Sequence, residues 1–339
     1  MKILLDTQGG DNPIEEFVFG GIEALKANDE LELAFVGKKD DIQNAIYKAM
    51  ANLGKKEKPI DASRMEIIDA PDVITNEDVP TEAIRYKKES SMVKGFYQTK
   101  DRDDIAGMVT AGSTGAALTG ATLIIGRLKG VRRAALCPVL PLFDGGRVCI
   151  CDAGANVDSA PEFLEQFALM GNVYMKEMCA IEVPRVALVS NGTEDKKGNA
   201  LVQAALPLLR ELPINFVGNM EARDALSGNY DVLVADGFVG NVMLKSYEGC
   251  FGGMLKQIKT VLTSSGKAKF GALFVKSSLK AWVKKIGLDE LAAAAFLGCN
   301  KLIAKAHGNA KAAEVKAALN QVYKMAKADI VSKLATAIG

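Results

Sequence analysis

Short apolar runs rich in Val and Ile alternate along the chain with longer stretches of helical period. The strand-like runs are Lys2–Leu5, Leu33–Val36, Met65–Ile68, Ile105–Val109, Arg147–Cys151, Arg185–Val189, Ile214–Val217, Asp231–Ala235 and Lys301–Ala304. Helical patterns occupy Pro13–Lys26, Asp40–Leu53, Glu82–Tyr97, Gly115–Arg127, Pro161–Glu177 and Asn199–Glu211. Alternation of this kind predicts an α/β fold, with one mostly parallel, doubly wound sheet between two helical layers. No internal repeat or low-complexity linker interrupts it, and Lys55–Ser63 is the most loop-like stretch. Residues 1–339 are therefore expected to form a single α/β/α domain.

Five of the strands run into polar turns containing glycine. These are Asp6-Thr-Gln-Gly-Gly-Asp11, Thr110-Ala-Gly-Ser-Thr-Gly115, Asp152-Ala-Gly-Ala-Asn-Val-Asp158, Ser190 through Asn199, and Asp236-Gly-Phe-Val-Gly-Asn241. In a parallel sheet the carboxyl ends of the strands share one edge, where ligands bind. Glycines let backbone approach a ligand closely, and the helix N-termini that follow offer free N–H groups to an anion. The pattern points to a polar ligand carrying phosphate. Gly112-Ser-Thr-Gly115 is neither a dinucleotide fingerprint nor a Walker A loop, and no G-x-S-x-G elbow is present.

Composition narrows the chemistry. Lys+Arg 42 against Asp+Glu 41 leaves a net charge of +1, which argues against a globally basic nucleic-acid binder. No apolar stretch approaches the ~18 residues of a membrane span. The opening MKILLDTQGGD reads as a strand rather than a signal peptide. Six cysteines without framework spacing suggest a reducing cytoplasm. His307 is the single histidine, so a zinc site built on several His is excluded. Cys149 and Cys151 form a C-x-C pair, expected to be reduced and structural. Neither a metal nor a cofactor is expected.

One segment breaks the charge balance. No acid lies between Glu248 and Asp289, while eight lysines do: Lys256, Lys259, Lys267, Lys269, Lys276, Lys280, Lys284 and Lys285. On a helix, Val275, Leu279, Trp282 and Ile286 form an apolar stripe with Lys276, Lys280 and Lys284 beside it. The segment, at about 245–290, is either a solvated face over a packing stripe or a docking surface for an acidic partner or anionic membrane.

At these residues the chain resembles the phosphate acyltransferases of bacterial phospholipid synthesis over nearly its whole length. The resemblance is carried by Gly9-Gly-Asp11, Glu82 through Met92, Ala111-Gly-Ser-Thr-Gly-Ala116, and Asp152 through Asp158 with Pro161. It continues in Lys197-Gly-Asn199, Phe216-Val-Gly-Asn219, Asp236 through Asn241 with Lys245, and Lys305-Ala-His-Gly308. Departures fall at Ser113, where the family tends to have Asn, at Ala134, around Cys299–Lys301 and at Asn309-Ala310. The resemblance implies a fold related to the phosphotransacetylases and isopropylmalate dehydrogenases. It also implies transfer of an acyl group from acyl-acyl carrier protein to inorganic phosphate, giving acyl phosphate for glycerol-3-phosphate acylation. A homodimer, peripheral attachment to the inner face of the cell membrane and a link to a membrane glycerol-3-phosphate acyltransferase come with it, and no nucleic acid does.

Attack of phosphate on a thioester needs cations and N–H donors for the anion, donors for the oxyanion and a proton for the leaving thiolate. The catalytic candidates are His307, Lys197, Asn241 and Lys245. Lys197 is placed as a phosphate ligand, and His307 as proton donor or substrate-orienting group. Lys245, four residues after Asn241, is placed near the phosphate or thioester, or at an interface. The substrate and phosphate set is Asp6, Gly10, Asp11, Gly112, Ser113, Thr114, Gly115, Asn156, Asn199, Asp236 and Gly240. Among the aspartates Asp6, Asp11, Asp152 and Asp236, some are expected to cap helices and one to orient Lys197 or His307. Lys269, Lys276, Lys280 and Lys284 are the candidates for carrier protein or membrane.

Two other readings remain open on sequence: a dinucleotide-dependent decarboxylating dehydrogenase-like enzyme, and a non-catalytic scaffold for carrier protein and membrane. The lysine segment makes its own prediction. Reversing Lys276, Lys280 and Lys284 to Glu should weaken binding to anionic vesicles, to acyl carrier protein or to both. The binding should fall with salt, as the Debye length drops from about 10 Å at 0.1 M to about 3 Å at 1 M. Vesicle flotation and carrier titration at two salt concentrations check this, and unchanged binding would make the segment a solvated face.

Overall fold

The computed structural model describes residues 1–51, 60–286 and 293–339, with backbone alone for residues 283–286. Most of the Lys55–Ser63 loop expectation, the last two residues of the Asp40–Leu53 helix, and the side chains of Lys284, Lys285 and Ile286 lie outside the described residues. In chain order the elements begin β1 (Lys2–Asp6), α1 (Ile14–Ala27), β2 (Glu32–Gly37), α2 (Lys39–Ala51), β3 (Met65–Asp69), α3 (Pro80–Tyr86) and α4 (Ser91–Asp101). They continue with β4 (Ile105–Thr110), α5 (Thr114–Gly120), β5 (Ala135–Cys137), β6 (Val139–Pro141), β7 (Arg147–Cys151), α6 (Pro161–Cys179) and β8 (Val186–Ser190). The remainder are α7 (Ala200–Arg210), β9 (Phe216–Glu221), β10 (Val232–Val234), α8 (Gly237–Thr263), α9 (Gly266–Ile286), β11 (Ala293–Leu297), β12 (Leu302–Ala306), α10 (Ala312–Lys327) and α11 (Ile330–Ile338).

Two compact units divide the chain: Met1–Pro138 with Lys176–Ile181 and Asp289–Gly339, and Val139–Met175 with Glu182–Leu288. Each has its own sheet, which corrects the expectation of one sheet with one shared edge. The first unit holds the order β3-β2-β1-β4-β12-β11-β5, the second β6-β7-β10-β8-β9. Every pairing is parallel except β11 with β12, β11 with β5, and β6 with β7.

Register shows why each unit is layered. Leu4 pairs with Ala34, and Leu5 with Phe35. A Cβ at Gly95 of α4 would meet Leu4 and Met108, whereas one at Gly21 of α1 would meet Phe35 and Leu33. Side chains alternate along a strand, so α1 and α4 cover opposite faces of the first sheet. In the second unit, a Cβ at Gly171 of α6 would lie against Val232 and Cys151. Met243 and Leu244 of α8 share a buried cluster with Ile150, Ala187 and Leu233, on the alternate positions.

Several elements differ from expectation for local reasons. The Glu82–Tyr97 helix is broken in two. Ser90 leaves the helix, its hydroxyl accepts from Val93 N–H at 3.4 Å, and it starts α4 afresh. The Gly115–Arg127 helix ends sooner, passing into a π turn at Ala121–Ile125 and stopping at Gly126 with φ +81°. Strand Ile214–Val217 is displaced to Phe216–Glu221, beside a register shift in β8–β9. Strands β5, β6 and β11 were not anticipated. The run Ala293–Leu297 is Ala-rich and lacks β-branched residues, yet its buried backbone is tied to α10 by Gln321 Nε2 donating to Ala293 O at 2.9 Å.

At the amino ends of the first sheet, charges are pinned together. Arg102 grips Glu66 at 2.6 and 2.9 Å and Asp104 at 3.0 and 2.8 Å. Lys2 Nζ reaches the same two carboxylates at 2.9 and 3.0 Å. The Arg102 guanidinium holds Glu66 down to about 2 from an ordinary 4.5. A carboxylate whose folded value is depressed contributes stability that is full above its unfolded value and lost as pH falls towards the folded one. Replacing Glu66→Gln should therefore lower the urea midpoint at pH 7, with the gap to wild type shrinking between pH 4.5 and 2. An equal gap throughout would mean that Glu66 acts by packing alone.

Candidate functional site

The second unit gathers three strand-end loops. Asp236 is the N-cap of α8, its Oδ1 accepting from Phe238 and Val239 N–H at 3.0 and 2.9 Å. Asn199 caps α7 in the same way, accepting from Val202 N–H at 2.9 Å. Both N-termini open on one cleft of about 410 Å³, lined also by Val157, Asp158, Ser159, Leu201, Phe238 and Val239. The first four N–H groups of α8 are all taken, by Asn156 O, Asp236 Oδ1 and Asp236 O, so what the cleft offers an anion is the positive ends of two helix dipoles and the first two N–H groups of α7.

The 152–158 loop is fitted tightly to α8. Asp152 is fully buried, and its carboxylate accepts from Ala155 N–H, Asn156 N–H and Asn156 Nδ2 at 3.1, 2.6 and 3.0 Å. The Asn156 amide side chain is thus engaged in shaping its own turn. Its carbonyl accepts from Gly237 N–H at 2.7 Å. A Cβ at Gly240 would fall 1.9 Å from Asp152 O, so Gly240 serves helix-to-loop packing rather than approach to a ligand. Asn241 is exposed and faces Gly154. Lys245, a turn later, is exposed and paired with Glu248 at 2.8 Å. Lys197 is exposed, its stem crosses Gly192, and its ammonium has no partner among the described residues.

In the first unit, the ends of β1, β4 and β12 lie side by side. Asp11 N–H donates to Gly308 O at 2.7 Å, and the Asp11 carboxylate lies against Gly308. Gly10 and Gly115 sit against Phe17 and Pro80, too close for a Cβ, and are therefore packing positions; at Gly112 only the terminal methyl of Met92 stands in the way. Ser113 occupies the N-cap of α5, yet its hydroxyl makes no cap bond, and Thr114 beside it is exposed. His307 is exposed just beyond β12.

Asp6 departs from its expected place as a phosphate contact. It is 1% exposed, and its oxygens accept from Thr110 Oγ1 at 2.8 Å, Gln8 N–H at 3.1 Å and the Ser91 hydroxyl. Burial pushes its carboxyl up to about 6, against the pull of those donors and of the Lys305 charge. An occupied, buried carboxylate repels an anion instead of binding one. Lys305, half-buried, donates to Ala111 O at 3.1 Å. Thr110, Ser91 and Lys305 fall in turns and motifs noted from sequence but were given no role at the site, although each is a polar residue within or beside an apolar strand or helix start. Of the cleft residues, Val157, Phe238 and Val239 lie within the polar turns noted from sequence but were given no role, and Ser159 and Leu201 carried no distinguishing signal.

The lysine segment forms α8 and α9, two helices in contact joined at Ser264–Ser265. Lys269, Lys276 and Lys280 are exposed. Of the expected stripe, Val275 is exposed while Leu279 and Trp282 are half-buried. Met254, Val261, Phe270, Leu273 and Phe274 are also exposed, with the Phe270 and Phe274 rings edge-on at 5.4 Å. No helix of the described residues is long and apolar enough to cross a membrane. Cys149 and Cys151 are buried and form no disulfide, as expected, and the Cys299 thiol is pushed up to about 12 by burial.

Residues 1–333 match the family described as "Fatty acid synthesis protein". A phosphate acyltransferase of Clostridium acetobutylicum is 42% identical over 334 residues, 98% of each chain. Another, from Exiguobacterium, is 38% identical over 336 residues, again 98% of each. Among solved structures, the phosphotransacetylases of Streptococcus pyogenes and Staphylococcus aureus share the fold. Their TM-scores are 0.58 and 0.59, at 16% identity and covering 100% and 97% of this chain and 94% of each of theirs. A putative 4-hydroxythreonine-4-phosphate dehydrogenase of Salmonella typhimurium follows at a TM-score of 0.52 and 13% identity, covering 96% of this chain and 99% of its own. With identity near 40% along the full length, the chain belongs to the phosphate acyltransferases of the fatty acid synthesis protein family.

Proposed function

We propose that the protein transfers a fatty acyl group from acyl-acyl carrier protein to inorganic phosphate, with the cleft between the α7 and α8 N-termini as the phosphate seat. The observation that carries this is the convergence of the two N-termini on one cleft, with the unpartnered Lys197 ammonium two residues before the α7 cap. Phosphate is already a nucleophile, so the chain needs no serine or cysteine of its own. A phosphate oxygen attacks the thioester carbonyl, the C–O bond forms, the C–S bond breaks, and the thiolate leaves with a proton. The two helix dipoles and the first N–H groups of α7 hold the phosphate charge, and Lys197 neutralises part of it. The attacking phosphate itself or solvent can supply that proton, and a part for His307, in the first unit, is proposed on the sequence resemblance alone. The exposed Phe270, Leu273 and Phe274, with Lys269, Lys276 and Lys280, support attachment of the α8–α9 pair to carrier protein or an anionic membrane. A homodimer is proposed on the resemblance alone.

Incubation with acyl-acyl carrier protein and phosphate, in chelator and without nucleotide, should yield acyl phosphate, detected by mass or as the hydroxamate. Absence of product from folded protein would overturn the assignment. Lys197→Ala should raise the apparent phosphate constant about tenfold or more and leave carrier binding in place, since a charge-assisted contact is worth roughly 1.5–3 kcal/mol. Unchanged phosphate dependence would return Lys197 to the solvated surface.

A further inference from the structure

Asp6 lies at the end of β1, out of reach of solvent, yet it is connected to a loop that is not. Gly112 N–H donates to Thr110 Oγ1 at 3.1 Å, and the same hydroxyl donates its hydrogen to Asp6 Oδ2 at 2.8 Å. The Thr110 hydroxyl is therefore used in both directions, as acceptor and donor. On the other side of the turn, Lys305 Nζ donates to Ala111 O at 3.1 Å. The amide after Ala111 and the carbonyl of Ala111 are thus held by two side chains from neighbouring strands, β4 and β12. Thr110 is fully buried. In such surroundings a hydroxyl bonded to a carboxylate is stronger than one bonded to a neutral group, and its loss strands the partner. The next residues are Ser113, whose hydroxyl is spared from capping, and the exposed Thr114.

We propose that Asp6 is a positioning residue, which through Thr110, and with Lys305 on the opposite side, fixes the Ala111–Gly115 loop in the conformation that receives substrate. The proposal rests on the expectation from sequence that Ser113 and Thr114 of this loop contact substrate. It accounts for an otherwise costly buried carboxylate that no ligand can touch. Packing alone would be served equally well by an apolar side chain, which cannot hold the Gly112 amide through a hydroxyl.

The test compares Thr110→Val, Thr110→Ser, Asp6→Asn and the double variant Asp6→Asn/Thr110→Val. Hydrogen exchange at the Gly112 amide reads the relay directly, and KM for phosphate and for acyl donor, with kcat, reads its use. Thr110→Val should speed Gly112 exchange about tenfold, as expected for one lost charge-linked hydrogen bond. It should also raise the KM of one substrate while leaving the other's unchanged. Thr110→Ser should restore both readouts, and the double variant should be no worse than its worse parent, because both changes cut the same chain. Should Thr110→Val fail to fold, Asp6→Asn offers the same exchange contrast with its shape kept. Unchanged Gly112 exchange, additive losses in the double variant, or faster exchange with both KM values unmoved would each overturn the proposal. If wild type itself forms no acyl phosphate, the functional reading falls, while exchange and the double-variant comparison still decide the relay.

Discussion

Backbone laid directly on backbone is the constraint on which the strand-end loops depend. The carbonyl of Asp152 lies where a Cβ on Gly240 would be, and the Asn156 backbone stands 2.6 Å from where one on Gly237 would be. In the first unit a Cβ on Gly9 would stand 3.1 Å from Gly112 Cα, a tight but less severe approach. Contacts of this kind leave the loops no slack. The polar side chains they carry are set by the course of the main chain, and Asn199 and Asp236 among them cap the helices that follow. A Cβ at such a place forces main chain apart, which protein interiors tolerate poorly.

Much of the layering was legible because it rests on periodicity. Strands such as Lys2–Asp6 and Arg147–Cys151 are apolar on both faces, as helix-covered parallel strands must be, and they stand out in the chain. What stayed hidden was how the strands divide between sheets. Pairing joins residues far apart in sequence, and no local pattern records that β4 neighbours β12 rather than β7. Ala293–Leu297 was missed for a different reason: its residues favour helix, and only burial between two partner strands overrides that preference.

The site was legible in part. Asn199 and Asp236 could be placed as strand-end polar residues, and both prove to cap helices that border the cleft. Glycines were harder, since a residue that admits a ligand and one that admits another segment of chain look the same in sequence. Asp6 shows the limit most clearly. Its position at a strand end suggested contact with phosphate, whereas three donors and near-complete burial give it an internal task. Partners contributed by Ser91 and Thr110 cannot be read from the neighbourhood of residue 6.

The antiparallel strand β11 has a consequence for how the chain comes together. It stands between β12 and β5, and β5 has no other partner in its sheet. Residues 293–306, which supply both β11 and β12, follow the whole of residues 182–288 in the chain. During synthesis the first sheet therefore waits, with one side of β4 bare and Ala135–Cys137 unpaired, until the second unit has been made. The unit encoded in the middle is free to finish first, and the one that holds the amino terminus closes last, reversing the usual order in which domains mature on the ribosome. Until then an apolar strand edge is open to pairing with other chains, which makes the late arrival of residues 293–306 the step at which this protein is most exposed to aggregation.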